Sequence, residues 1–237
     1  MKQIINAETD FKAGVVLVID KPLTWTSADV VRKVKNQLFK LVDRKLKVGH
    51  AGTLDPLATG VLLICVGKAT KRVEEIQAQE KEYIAGIMLG ATTPSYDLEH
   101  PIDATYPWEH ITRKKVEAAL QKLSGERLQE PPVYSAKSID GKRAYEYARK
   151  GKEVQMRQAL INIYEMELLS CELPQITVRV RCSKGTYIRS LAREIGEALD
   201  SGAHLVSLRR TRSGEYKADE GYSVEEIIKI LQDLKQN

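Results

Sequence analysis

Apolar positions along the chain fall into two rhythms, short unbroken runs and stripes one helical turn apart, and their order predicts most of the elements. Val15 to Ile19 is an apolar run of strand length, and Val30, Val31, Val34 and Leu38 behind it share one face of a helix from an N-cap at Ser27 to about Lys40. The opposite face of that helix is basic. Val61 to Val66, ended by Gly67, predicts a buried strand, followed by a short charged helix and a strand from Tyr83 to Leu89. A polar connection containing prolines then runs through Pro107 and reads as surface loop. Thr112 caps a helix to Leu123, and Ile161 to Leu169 and Ile176 to Cys182 are strands. The second alternates Val178 and Val180 with Arg179 and Arg181, so one face meets the core and the other is basic. From Thr186 to Leu199 the stripe Ile188, Leu191, Ile195 and Leu199 predicts a helix with Arg189 and Arg193 on a neighbouring face. Leu205 to Leu208 is a last core strand. Ser223 and Glu226 form a capping box for a closing helix docked by Val224, Ile227, Ile228 and Leu231. Strands and helices do not alternate strictly, which predicts an α+β fold: a mixed, largely antiparallel sheet with flanking helices.

Composition sets bounds on this picture. At 237 residues and 43% hydrophobic content the chain suffices for one large domain or two small ones with a continuous core. The longest apolar stretch is about six residues, far short of a membrane span, and the start of the chain lacks an apolar signal core. Cys65, Cys171 and Cys182 lie far apart without ligand spacing and read as reduced core residues. The expectation is therefore a cytoplasmic, monomeric protein away from membranes.

The net charge of +5 is modest, but it is unevenly placed. Arg32 to Lys47 carries seven basic residues against one acidic one, Arg179 to Arg193 carries five against none, and Arg209 to Arg212 adds three. Such clusters suit a polyanionic partner. A further stretch, Glu130 to Arg157, opens on Pro131 and Pro132 and holds seven more basic residues, which marks it as an insertion.

Candidate chemistry centres on Gly49-His50-Ala51-Gly52-Thr53-Leu54-Asp55-Pro56-Leu57-Ala58-Thr59-Gly60, where one carboxylate, Asp55, sits in a loop feeding a buried strand. Such a carboxylate is placed for catalysis, although Asp-Pro is also a common turn. Two other signals lead nowhere. Gly67-Lys68-Ala69-Thr70 lacks the upstream glycine of a phosphate-binding loop, and the four histidines share no helix face, so neither a metal nor a cofactor is expected.

The string GHAGTLDPLATGVL resembles the signature of the TruB family of pseudouridine synthases, which isomerise the uridine at position 55 in the T-loop of tRNA. Asp20-Lys21-Pro22 with Thr26-Ser27, Lys81-Glu82-Tyr83, the run from Lys184 to Arg193 and the run from Leu208 to Gly214 follow in the family's order, so the resemblance spans about Gly14 to Gly214. It implies the pseudouridine synthase fold, a tRNA T-arm as partner and catalysis without cofactor. Asp55 matches the catalytic aspartate, Arg189 the arginine that pairs with it, and Tyr83 the tyrosine that stacks on the flipped uracil. His50, Tyr187 and Leu208 match positions that contact the nucleotide, whereas Lys21 and Pro22 support the Asp55 loop. The 130–157 insertion, with Lys142, Arg143 and Arg149 on an expected helix, matches an RNA-gripping element, and Arg193 is expected on the RNA backbone. Only about 23 residues follow Gly214, so the expectation is a single catalytic domain, 1–237, without a C-terminal domain of the PUA type.

Overall fold

The computed structural model describes residues 2, 4–135, 138–139, 142–143 and 156–236, the backbone alone at 138–139 and 142–143. The chain forms two compact units, one of Met1–Tyr83 with Leu208–Asn237 and one of Ile84–Ser207.

In the first unit β1 (Val15–Lys21) pairs antiparallel along β3 (Ala58–Val66), from Val15 opposite Val66 to Lys21 opposite Gly60. The other edge of β3 is shared. β2 (Val48–Ala51) pairs antiparallel with the Leu63–Val66 end, and the Leu208–Arg210 part of β12 (Ala203–Ser213) pairs in parallel with Ala58–Gly60. β13 (Tyr216–Lys217) turns back on the end of β12. Alternation along β1 and β3 sends Leu17, Ile19, Leu62 and Ile64 to a face covered by α1 (Ser27–Leu41) and α5 (Val224–Gln236). Val18, Val61, Leu63 and Cys65 point the other way, against Ala69 in the 3-10 turn Gly67–Arg72 and Ile76 in α2 (Val73–Ala78).

The expected helix start is displaced by one residue. Thr26, not Ser27, caps α1: its hydroxyl accepts from Asp29 N while the Asp29 carboxylate accepts from Thr26 N, and the Ser27 hydroxyl is turned to Leu54 instead. The expected box at α5 is present, with Ser223 N donating to Glu226 at 2.7 Å and Glu226 N to the Ser223 hydroxyl at 3.1 Å.

In the second unit, which takes β4 (Lys81–Leu89) from Ile84 onward, the strand order is β4, β11 (Gln175–Cys182), β10 (Ala159–Glu172) and β7 (Gly125–Gln129), with α3 (Arg113–Leu123), capped by Thr112 as expected, and α4 (Ile188–Ala198). Two expectations fail in this unit. The connection before Pro107 is not simple surface loop: it contains a small hairpin, β5 (Ala91–Thr92) with β6 (Ala104–Thr105), and it buries Thr93, Ser95 and Asp97. These polar groups tolerate burial because they satisfy one another, the Thr93 hydroxyl donating to Asp97 O at 2.7 Å and Glu99 N to the Asp97 carboxylate at 3.0 Å. Nor is the outer face of β11 simply basic. Arg179 and Arg181 stand opposite Glu167 and Glu165 of β10 and pair with them.

Within the insertion, β8 (Ser138–Ile139) and β9 (Lys142–Arg143) pair as a short hairpin, so the expected helix does not begin at Lys142. Arg149 and the rest of 144–155 lie outside the described residues. No helix among the described residues is long and apolar enough to cross a membrane.

Candidate active site

The Asp55 loop, residues 52–57, joins β2 to β3, and its backbone is tied down from three directions within the first unit. From below, the Lys21 ammonium, wholly buried at the end of β1, donates to Trp25 O at 2.6 Å, Pro22 O at 2.9 Å and Pro56 O at 3.3 Å. Thr24 N also donates to Pro56 O, at 2.9 Å. From α1, the Ser27 hydroxyl donates to Leu54 O and accepts from Leu54 N, both at 2.9 Å. From β12, the buried Arg210 guanidinium donates to Gly52 O at 3.1 Å, Thr53 O at 3.5 Å and Val61 O at 2.7 Å, so one side chain ties the start of the loop to β3.

Gly60 makes that brace possible. A Cβ there would lie 2.1 Å from Arg210 O, and its φ of +101° suits glycine alone, so the parallel approach of β12 to β3 requires this residue. The local sequence thus commits its glycine and its lysine to fixing one half-buried carboxylate.

Two buried cations beside the loop leave a mark on the groups around them. Burial first, and Arg210 second, push the Lys21 ammonium down from 10.5 to about 8, while Asp55 works in the opposite direction. His50, on β2, is pushed below the usual histidine range by burial and then by Arg210, which favours the neutral imidazole; its Nδ1 is buried without a hydrogen-bond partner among the described residues. Leu208 lies opposite Ala58, three residues after Asp55, and its carbonyl accepts from the Thr59 hydroxyl at 3.5 Å. Tyr83 is buried as the third residue of β4. Within the first unit Asp55 and Leu208 thereby lie at the loop end of β3, whereas His50 stands opposite Ile64, further along the strand.

Arg189 and Tyr187 belong to the second unit. Arg189 is 4% exposed in the first turn of α4, where its Nη1 donates to Ser95 O at 3.3 Å and its Nε lies 3.8 Å from the Asp97 carboxylate. Tyr187, at the N-cap of α4, is held by Gln129, which accepts from Tyr187 N at 2.8 Å and donates to Tyr187 O at 3.2 Å. Gln129 also donates to Glu194, whose carboxyl burial pushes up and whose partner Arg127 lies at 3.1 Å. Arg193 stands over the Tyr96 ring at 5.0 Å and donates to its hydroxyl at 3.2 Å.

Ser95, Tyr96, Asp97 and Arg210 carry no role that the sequence alone announces. The first three were hidden in an apparent loop, although an aspartate buried beside an arginine is the usual company of that cation. Arg210 looked like one member of a surface charge cluster.

Comparison with known proteins converges on one family. Residues 38–188 match the model of the TruB family pseudouridylate synthase N-terminal domain, and 189–236 that of the tRNA pseudouridylate synthase B C-terminal domain. The chain is 61% identical over 223 residues to tRNA pseudouridine synthase B of Phocaeicola vulgatus, covering 94% of this chain and 95% of that protein. It is 59% identical over 224 residues to the protein of the same name from Parabacteroides distasonis, again over 94% and 95%. Among solved structures, a Cbf5-Nop10-Gar1 complex matches with a TM-score of 0.72 at 32% identity, over 95% of this chain and 56% of that one. An H/ACA RNP bound to a substrate RNA containing 2'-deoxyuridine matches with a TM-score of 0.67 at 30% identity, over 92% and 53%. The chain thus spans little more than half the length of these structural relatives, and nearly all of the length of the two bacterial ones. With the Asp55 loop and its braces in place, these matches establish that the chain belongs to the TruB family of pseudouridylate synthases.

Proposed function

We propose that this pseudouridine synthase acts on the T-arm of tRNA, at the uridine of position 55, with Asp55 as its catalytic carboxylate. The reaction breaks the bond from ribose C1' to N1 of uracil, turns the base, and joins C1' to C5, from which a proton then leaves. Nothing is oxidised. A carboxylate can assist departure of the base by adding to the nucleotide or by easing a glycal-like intermediate, and either role needs it charged and held still. The single observation that carries the assignment is the fixing of the Asp55 loop by Lys21, Ser27 and Arg210, which grip backbone carbonyls and one amide on both sides of the carboxylate.

Tyr83 is assigned as the platform under the extruded base and the acceptor of the C5 proton, and His50, Tyr187 and Leu208 as contacts to the nucleotide. Arg189 is assigned, on the family resemblance, as the partner of the reacting carboxylate, and within its own unit Ser95 and Asp97 fix its orientation. Lys142, Arg143, Arg149 and Arg193 are assigned to the RNA backbone, the protein acting as a cytoplasmic monomer of one catalytic domain.

Incubation with unmodified tRNA transcript, followed by mapping of pseudouridine, tests the reading. Product at the T-loop uridine with wild type and none with Asp55→Asn is expected. Product only elsewhere in the RNA, or an active Asp55→Asn variant, would overturn it.

A further inference from the structure

At the end of β3 remote from Asp55, the fold builds a basic groove that the reaction does not use. Lys12 from the segment before β1, Lys45 and Lys47 from the segment before β2, and Lys68 and Lys71 from the 3-10 turn after β3 line a cavity of about 390 Å³, floored by Leu46, Gly67 and Thr70. All five lysines are exposed. Among the described residues of the lining the one carboxylate is Asp43, 4.0 Å from Lys12. Backbone bonds fix the three segments to one another, Gly67 N donating to Lys47 O at 2.8 Å and Lys68 N to Lys12 O at 3.3 Å, so the charges are held together by the frame.

The chemistry of the lining selects its ligand. Five ammonium groups supply point charges and no planar fork, and among the described residues the lining holds no aromatic ring, asparagine or glutamine to stack on or read a base. Such a surface takes phosphates without regard to sequence. Its separation from the Asp55 end follows from the strand between them: β3 runs nine residues from Ala58 to Val66, about 26 Å at the rise of an extended chain, with His50 between the two, opposite Ile64. That is about eight steps of a stacked duplex, more than a short hairpin offers beyond its loop.

We infer that the Lys12, Lys45, Lys47, Lys68 and Lys71 groove is a second RNA-binding surface, which engages the phosphate backbone of the same tRNA outside the arm that carries the target uridine. The inference rests on the tRNA reading above and adds to it a surface that distinguishes whole tRNA from its isolated T-arm. Occupation of the groove supplies affinity and leaves the chemical step alone.

The test compares wild type with a Lys45→Gln, Lys47→Gln, Lys68→Gln, Lys71→Gln variant on whole tRNA and on a T-arm hairpin cut to about four base pairs. Binding is measured between about 50 and 200 mM salt, and hairpin turnover and melting temperature serve as controls of folding. For whole tRNA, Kd should rise tenfold or more, and the slope of log K against log salt should become shallower by about 2 to 3, near 0.7 to 0.9 for each phosphate no longer neutralised. Hairpin Kd, slope and turnover should not change, and the four corresponding Lys→Arg changes should restore whole-tRNA affinity. Unchanged whole-tRNA binding would overturn the inference, and lost binding to vesicles containing anionic lipid in that case would assign the groove to a membrane surface. An equal loss on both RNAs would overturn it too, by placing the groove on the T-arm. Failure of wild type to modify either RNA would instead remove the functional reading, while the binding comparison would still decide the groove.

Discussion

At the scale of single residues, the site is a set of side chains whose worth lies in what they hold. Asp55→Asn removes charge and basicity with almost no change in volume, so turnover should fall by about a thousandfold or more while tRNA affinity stays within a few fold; single-turnover kinetics beside a binding isotherm would show it. Arg189→Lys keeps the charge but replaces a fork, which reaches both Ser95 O and the Asp97 carboxylate, by a single ammonium. The rate should drop about a hundredfold with little effect on Kd, and wild-type kinetics would show that the fork is dispensable. Lys21 adds a pH signature. The folded chain lowers its pKa from 10.5 to about 8, so between those two values the unfolded chain binds more protons and this group's contribution to stability rises with pH. The stability of wild type relative to Lys21→Met should therefore grow from pH 8 to 10.5, as urea denaturation at several pH values would reveal. A constant difference would mean that the buried ammonium keeps its proton throughout. Of these residues Asp55 and Lys21 were legible in the sequence because they lie in motifs, whereas Asp97 was not, since nothing local tells a buried loop aspartate from an exposed one.

At the scale of elements, legibility followed the range of the interaction that makes each element. Caps and stripes are local: Thr112, the Ser223 and Glu226 box, and the apolar face of α1 are visible because partner and signal lie within four residues. β2 has no such signal. Its Val-Gly-His-Ala sequence is strand only because β3 pairs with it, and the extension of β12 past Leu208 likewise depends on pairing with β3 and β13. The shifted cap of α1 has a tertiary cause, because the Ser27 hydroxyl is committed to Leu54 of the Asp55 loop and Thr26 caps in its stead. Ser27→Ala should consequently leave α1 helical but strip Leu54 N and O of their buried partner, with a loss of about 1 to 3 kcal/mol in stability and a fall in kcat that exceeds any change in KM. Denaturant titration and steady-state kinetics check it together. A stability loss with unaltered kcat would separate the clamp from catalysis.

At the scale of the whole molecule, the distribution of charge was the least legible property, because runs of arginine along the chain are not patches on the surface. Of the basic residues between Arg179 and Arg212, Arg179 and Arg181 pair with Glu167 and Glu165, Arg189 with Asp97, Arg209 with Asp20 and Arg212 with Glu80, while Arg210 is buried against carbonyls. Carboxylates from other elements have cancelled most of a cluster that looked like an RNA surface. The lysine groove is the converse case, assembled from three segments of which only the one before β2, at the end of the Arg32 to Lys47 cluster, stands out in the sequence. An arginine already compensated across a strand pair releases few counterions on binding RNA, since its field is met by protein, whereas an exposed uncompensated lysine releases close to one per phosphate. Replacing Arg179 and Arg181 together by Gln should therefore leave the salt slope of tRNA binding within about 0.5 of wild type, against the loss of about 2 to 3 expected from the groove lysines. The double variant also strands Glu165 and Glu167 as uncompensated acids, so any change in affinity should be a small weakening that grows at low salt. Affinities measured across one salt series for both variants decide the matter, and a slope that fell as far for the arginine pair as for the lysines would show that cross-strand pairing does not silence a cation toward RNA.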